Sequence, residues 1–169
     1  AIGGGTPLSA FGGKREFMEH ISPSGNAQHS GTYNGHLSSI MAGMDFFDVI
    51  GESGFYKDLL SQSQRLYDGI DEIMQRIGFV GRVQGLGARF SFLFGPPAER
   101  DIRNYQHLLD NQWPLFHRFC KACLRHGVYL HTMWHHGLSM AHTQQDVDRA
   151  LDGIEAALRD VMAEGLDGS

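Results

Sequence analysis

Ala1-Ile2-Gly3-Gly4-Gly5-Thr6-Pro7-Leu8-Ser9-Ala10-Phe11-Gly12-Gly13-Lys14-Arg15 opens the chain, and His29-Ser30-Gly31-Thr32-Tyr33-Asn34-Gly35 follows shortly after. Glycine is the compositional outlier, with 22 in 169 residues and 11 of them within the first 54. That enrichment marks backbone that adopts positive φ or passes close to something bulky. In the first stretch the bulky neighbour is expected to be a ligand. Thr32 stands between Gly31 and Gly35, just ahead of a helical pattern, where a threonine is commonly a helix N-cap.

Composition narrows the function classes. Charge is mildly acidic, 14 Lys+Arg against 19 Asp+Glu for a net of -5. No basic block could neutralise a run of phosphates, so nucleic acid is not expected as a partner. No apolar run approaches the roughly 20 residues that span a bilayer. Cys120 and Cys123 do not form the framework of a disulfide-rich secreted domain. A cytoplasmic enzyme is the expectation.

The rest of the chain is a succession of periods. Leu8 to Phe11 reads as a short apolar strand, Lys14 to His20 as a short helical piece, and Ser22-Pro23-Ser24-Gly25-Asn26 as a loop. Leu37, Ile40, Met41, Met44, Phe47 and Ile50 recur at helical spacing, with Leu37, Ile40 and Met44 expected inside. A second helix is predicted from about Phe55 to Ile77, ended by Gly78. Phe90, Phe92 and Phe94 alternate along an extended segment and give it one aromatic face. Asp101 to His126 reads as helix broken at Trp113-Pro114, and Gly127 to Leu130 as a short strand. Thr143 and Asp146 open a last helix whose stripe is Val147, Leu151, Ile154, Leu158 and Val161.

The two opening segments together resemble active-site segments of the class III pyridoxal-phosphate (PLP) aminotransferases, the group that includes glutamate-1-semialdehyde aminomutase. The first carries the resemblance through Gly3-Gly4-Gly5, Pro7, Ala10-Phe11 and Gly12-Gly13-Lys14, and the second through Gly31-Thr32 and Gly35. The resemblance implies an α/β fold, the C-terminal part of a fold-type I PLP-dependent transferase. Residues 1–50 would be the end of the large PLP-binding domain with its interdomain helix, and 51–169 the small α/β domain. Counting back from Gly3, the lysine that carries the cofactor as a Schiff base is expected immediately before Ala1. No catalytic residue is therefore expected in the chain itself.

In the family, the position matching Thr32 holds the PLP phosphate, so Ser30, Gly31 and Thr32 are the implied cofactor-binding residues. They would serve the other subunit of a homodimer with shared active sites. One departure is plain: an Asn-Pro pair commonly follows the second glycine, where this chain has His36-Leu37. Gly4, His135 and His136 are the positions expected to face substrate. Aminomutases carry an acidic residue near the last two, which puts mutase activity in doubt.

Other clusters weigh less. His131, His135 and His136 invite a metal reading, but no Asp, Glu or Cys nearby completes a ligand set, and no metal is expected. Cys120 and Cys123 lie within a predicted helix beside Phe116 and Phe119, where packing is the expected role. Arg82 and Arg89 flank a glycine-rich turn and suit either a substrate carboxylate or ion pairing. The sequence points to transamination between an amino acid or amine and a keto acid or aldehyde. An aminomutase or racemase, and a non-enzymatic binding domain, are the alternatives.

Overall fold

The computed structural model describes residues 2–99, 101–133 and 135–166. Ala1, and Trp134 within the histidine-rich run, lie outside the described residues. The chain forms two compact units, Ala1–Phe55 and Tyr56–Ser169. The division falls after residue 55, five residues beyond the expected boundary.

In the first unit, α1 (Arg15–Met18) is a single turn and α2 (Leu37–Gly51) is the main element. The expected strand at Leu8–Phe11 is not formed. A strand needs a partner edge for its backbone groups, and this stretch follows a glycine turn in which Leu8 N donates to Thr6 O at 2.9 Å.

The second unit starts with α3 (Phe55–Ile77), whose first residue stands at the boundary. It ends as its sequence predicts. Gly78 takes φ +73°, and Phe79 N donates back to Met74 O at 2.9 Å, which satisfies carbonyls the helix leaves open. Then come β1 (Gly81–Leu86), β2 (Arg89–Phe94), a 3-10 turn (Pro96–Glu99), α4 (Tyr105–Leu109), α5 (Trp113–Arg125), β3 (His136–Gly137) and α6 (Gln144–Ala163). The sheet is antiparallel in the order β1-β2-β3, with Gly81 opposite Phe94 and Phe90 opposite His136.

Two boundaries differ from expectation. The helix break lies at residues 110–112, and Trp113 and Pro114 open α5. Proline is favourable there, because the first-turn N–H groups have no helical acceptor to lose. Gly127 to Leu130 is not a strand. The β2 edge is already occupied, by β3 at Phe90 and by Asn111 and Gln112 at Phe94. Asn111 Oδ1 accepts from Phe94 N at 2.7 Å, and Gln112 N donates to Phe94 O at 3.2 Å. Val128 instead ties back to α5, donating to Cys123 O at 2.8 Å.

The alternating phenylalanines give the core its shape. Phe90 packs on Tyr67 of α3 at 5.3 Å, while Phe92 and Phe94 meet α5, with Phe92–Phe119 ring centroids at 4.9 Å and Phe94–Phe119 at 5.3 Å. Such edge-to-face aromatic pairs add about 0.5–1.5 kcal/mol each beyond the area they bury. Leu66, Ile70, Ile73 and Met74 of α3, and Val147, Ile154, Leu158 and Val161 of α6, complete the cluster. The capping box at Thr143 is formed in both directions, Asp146 N to Thr143 Oγ1 at 3.2 Å and Thr143 N to Asp146 Oδ2 at 2.8 Å.

Candidate active site

In the first unit the glycine-rich segment is a folded turn. Thr6 donates to Gly3 O through both its N–H (2.8 Å) and its hydroxyl (2.6 Å). Gly4 has φ +55°, and a Cβ there would stand 3.3 Å from Ala42 O of α2. Gly43 is buried, and a Cβ on it would run into Leu8 Cδ2. The segment therefore seats on the small-residue face of α2, formed by Ser39, Ala42 and Gly43. Larger residues at 4 or 43 would lift it off.

That seating corrects the expected orientation of α2. Leu37, Ile40 and Met44, expected inside, are 68%, 39% and 62% exposed, and Met41 and Phe47 are exposed with them. The helical period was right and the buried face was not. Close approach of a glycine turn selects the small side chains, leaving the large apolar ones on the open side.

Thr32 lies at the tip of a turn, not at the helix cap. The turn closes with Asn34 N donating to Gly31 O at 2.9 Å and His36 N to Tyr33 O at 3.1 Å, and Gly35 has φ +70°. α2 starts after it, with His36 at the N-cap position. The Asn34 amide contacts His29 Nδ1 at 3.1 Å, and the His29 ring packs on Phe11 at 4.7 Å. The two opening segments thus meet in one unit. Between them is a recess of about 370 Å³ lined by Pro7, Leu8, Ser9, His29, Tyr33, Asn34, Gly35 and Ile40.

The donors around Thr32 are free. Among the described residues, the Ser30 and Thr32 hydroxyls and the N–H groups of Ser30, Gly31 and Thr32 make no hydrogen bond. An exposed turn with unengaged N–H and O–H groups suits an anion. His29 and Asn34 did not stand out in the sequence. The Asn34-Gly35 pair is the turn signal that would have drawn attention to them.

The second unit separates the two histidines expected to face substrate. His135 is exposed and its ring stacks on His131 at 6.0 Å with an 8° interplanar angle. It lines a recess of about 330 Å³ with Gln84, Arg89, Phe90 and Ser91 among its neighbours. His136, the first residue of β3, is turned inward instead. It is 5% exposed, between Phe90, Phe92 and Phe116 at 5.4, 5.6 and 5.8 Å. Burial foremost, with His131 and His135 nearby, pushes its imidazole down to about 4. His136 is thus a neutral member of the aromatic core.

The remaining candidates resolve by contact. Arg82 pairs with Asp101 at 3.2 Å and bonds Gln84 at 2.7 Å. Arg89 makes no ion pair among the described residues. Cys120 and Cys123 are buried free thiols. Burial pushes Cys120 up to about 11 and Cys123 further still, the opposite of a reactive pair. No described helix is long and apolar enough to cross a membrane.

Comparison with known proteins supplies the family. The model of the class-III aminotransferases matches residues 1–158. Glutamate-1-semialdehyde 2,1-aminomutase of Desulfitobacterium hafniense is 32% identical over 160 residues, covering 94% of this chain and 36% of that protein. The enzyme of that name from Methanopyrus kandleri is 32% identical over 161 residues, with 93% and 36% covered. The chain spans about a third of the length of these relatives. Among solved structures, an omega-transaminase from Sphaerobacter thermophilus aligns with a TM-score of 0.81 at 25% identity, covering 95% of this chain and 37% of that one. A β-phenylalanine aminotransferase from Variovorax paradoxus shares the fold, with a TM-score of 0.79 at 23% identity and 96% and 37% covered. With both glycine-bearing segments gathered in one unit and residues 1–158 of its 169 matched by the family model, the chain belongs to the class III aminotransferases.

Proposed function

We propose that this chain is part of a PLP-dependent aminotransferase that moves an amino group between an amino acid or amine and a keto acid or aldehyde. The observation that carries the reading is the convergence of the Gly3–Gly5 turn and the Thr32 turn in one unit, with the donors of the latter unengaged. The donor set fits the cofactor: the Ser30 and Thr32 hydroxyls and the Gly31 and Thr32 N–H groups would hold its phosphate. Gly4, whose absent Cβ would meet Ala42 O, lets the glycine turn seat on α2 beside that donor set. When bound, PLP supplies an electron sink for the charge that develops at the substrate Cα. The lysine expected before Ala1 would take the proton from that Cα and deliver it to a different carbon, so that the amino group can leave the substrate. His135, on the rim of its recess, would face the substrate; buried His136 is left out of this role.

Two further parts of the proposal have separate support. The exposed apolar side of α2, with Leu37, Met41, Met44 and Phe47, suits a homodimer with shared sites. The two buried free thiols fit a reducing cytoplasm. A glutamate-1-semialdehyde-type aminomutase is the second reading, favoured by the names of the curated relatives. His135, exposed in the region where the resemblance places an acidic residue in aminomutases, favours the first.

Full-length protein tests both. Borohydride reduction followed by peptide mapping should place a phosphopyridoxyl group on the residue before Ala1. Turnover should require an added keto acid or aldehyde. Turnover of one substrate with no acceptor would establish a mutase or racemase instead, and absence of any adduct would end the PLP reading.

A further inference from the structure

We infer that His29 is a positioning residue for the phosphate-holding turn, acting through Asn34; the inference rests on the proposed role of Thr32. Across Thr32 the backbone is closed by Asn34 N donating to Gly31 O at 2.9 Å. A further closure is made by side chains, Asn34 Nδ2 to His29 Nδ1 at 3.1 Å. Ser30, Gly31, Thr32 and Tyr33 lie between His29 and Asn34. With the amide donating, Nδ1 is the unprotonated nitrogen of the ring. The ring in turn rests on Phe11 at 4.7 Å, so the clamp is referenced to the glycine-rich segment.

Asn34 is also the group that limits the turn from inside. A Cβ on Gly31 would come within 3.2 Å of Asn34 Oδ1. Gly31 therefore lets the Asn34 amide lie across the turn and reach His29. Free donors recognise an anion well only if they are already aimed, because ordering them on binding offsets the interaction. Thr32 has no internal hydrogen bond to aim it. The clamp on either side of it supplies that order. Both His29 and Asn34 are exposed, so their loss should barely affect global stability.

The test uses the full-length protein stripped of cofactor and titrated with PLP and with pyridoxal, which lacks the phosphate. His29→Ala and Asn34→Ala should each weaken PLP binding by about three- to tenfold, the worth of one ordinary hydrogen bond. The double variant should be no worse than either single one. His29→Gln, which restores an acceptor, should recover most of the loss, whereas His29→Phe, which keeps only the ring, should not. Pyridoxal affinity and apoprotein melting should be unchanged throughout. Equal losses for PLP and pyridoxal, additive single effects, recovery by His29→Phe, or lowered melting in step with affinity would each overturn the inference. Thr32→Ala serves as the reference. If it weakens PLP while His29→Ala does not, only the clamp fails; if Thr32→Ala has no effect, the reading beneath it fails.

Discussion

The two units hold their shapes by different means. In Tyr56–Ser169 a continuous cluster of phenylalanines, aliphatic residues and two thiols is removed from water. In Ala1–Phe55 the buried positions among the described residues are Gly3, Ser39 and Gly43, while Phe11, Phe17, Tyr33 and Leu37 are 59–68% exposed. One unit is ordered by apolar burial and the other by hydrogen-bonded turns and close glycine packing. The difference follows from chemistry. Groups that serve a ligand must keep their donors unengaged, and a segment built that way cannot also be a core.

The largest expected effect tests the burial side of that contrast. Phe94→Ala removes a fully buried ring and should cost about 3–5 kcal/mol in denaturant unfolding of the full-length protein. A loss under 1 kcal/mol would mean that the second unit does not depend on its aromatic cluster.

Next comes pH. Burial lowers the His136 imidazole from 6.5 to about 4. Between those values the unfolded chain binds a proton that the folded protein refuses, so stability rises with pH across the window. It falls on acidification from 6.5 and levels off below 4, a change of about 3 kcal/mol. His136→Phe should flatten that slope; an identical slope in the variant would show that the titration belongs elsewhere.

On the other side of the contrast, Thr32→Ala should weaken PLP binding by about 1.5–3 kcal/mol, the worth of a bond to a charged group. Its unfolding curve should match that of the parent protein. The smallest effect is expected for Phe17→Ala, a ring 64% exposed, which should change stability by less than about 0.5 kcal/mol. A large loss there would show that the first unit has a core of its own making.

Much of the second unit was legible because its elements carry their own signals. Leu66, Ile70 and Ile73 recur at the helical period, Gly78 supplies the positive φ of a helix end, and Thr143 with Asp146 makes a cap. Phe90, Phe92 and Phe94 alternate as a strand does. The misreadings share one cause. Leu8–Phe11 and Gly127–Leu130 have strand-like residues, but a strand exists only where an edge is free. Period likewise told that Leu37–Gly51 is a helix without telling which face is covered. That depended on a glycine turn arriving from another part of the chain.

The candidate site divides the same way. The order Gly3-Gly4-Gly5, Gly31-Thr32 and Gly35 was enough to expect the family, because backbone freedom and a hydroxyl at fixed spacing are properties of local sequence. Asn111 closing the edge of β2, His136 entering the aromatic core while His135 stays outside, and His29 clamping Asn34 were decided only by tertiary structure. Each depends on residues brought together across a turn or between elements. Local sequence determines what a segment can do, and packing determines which of its side chains remain free to do it.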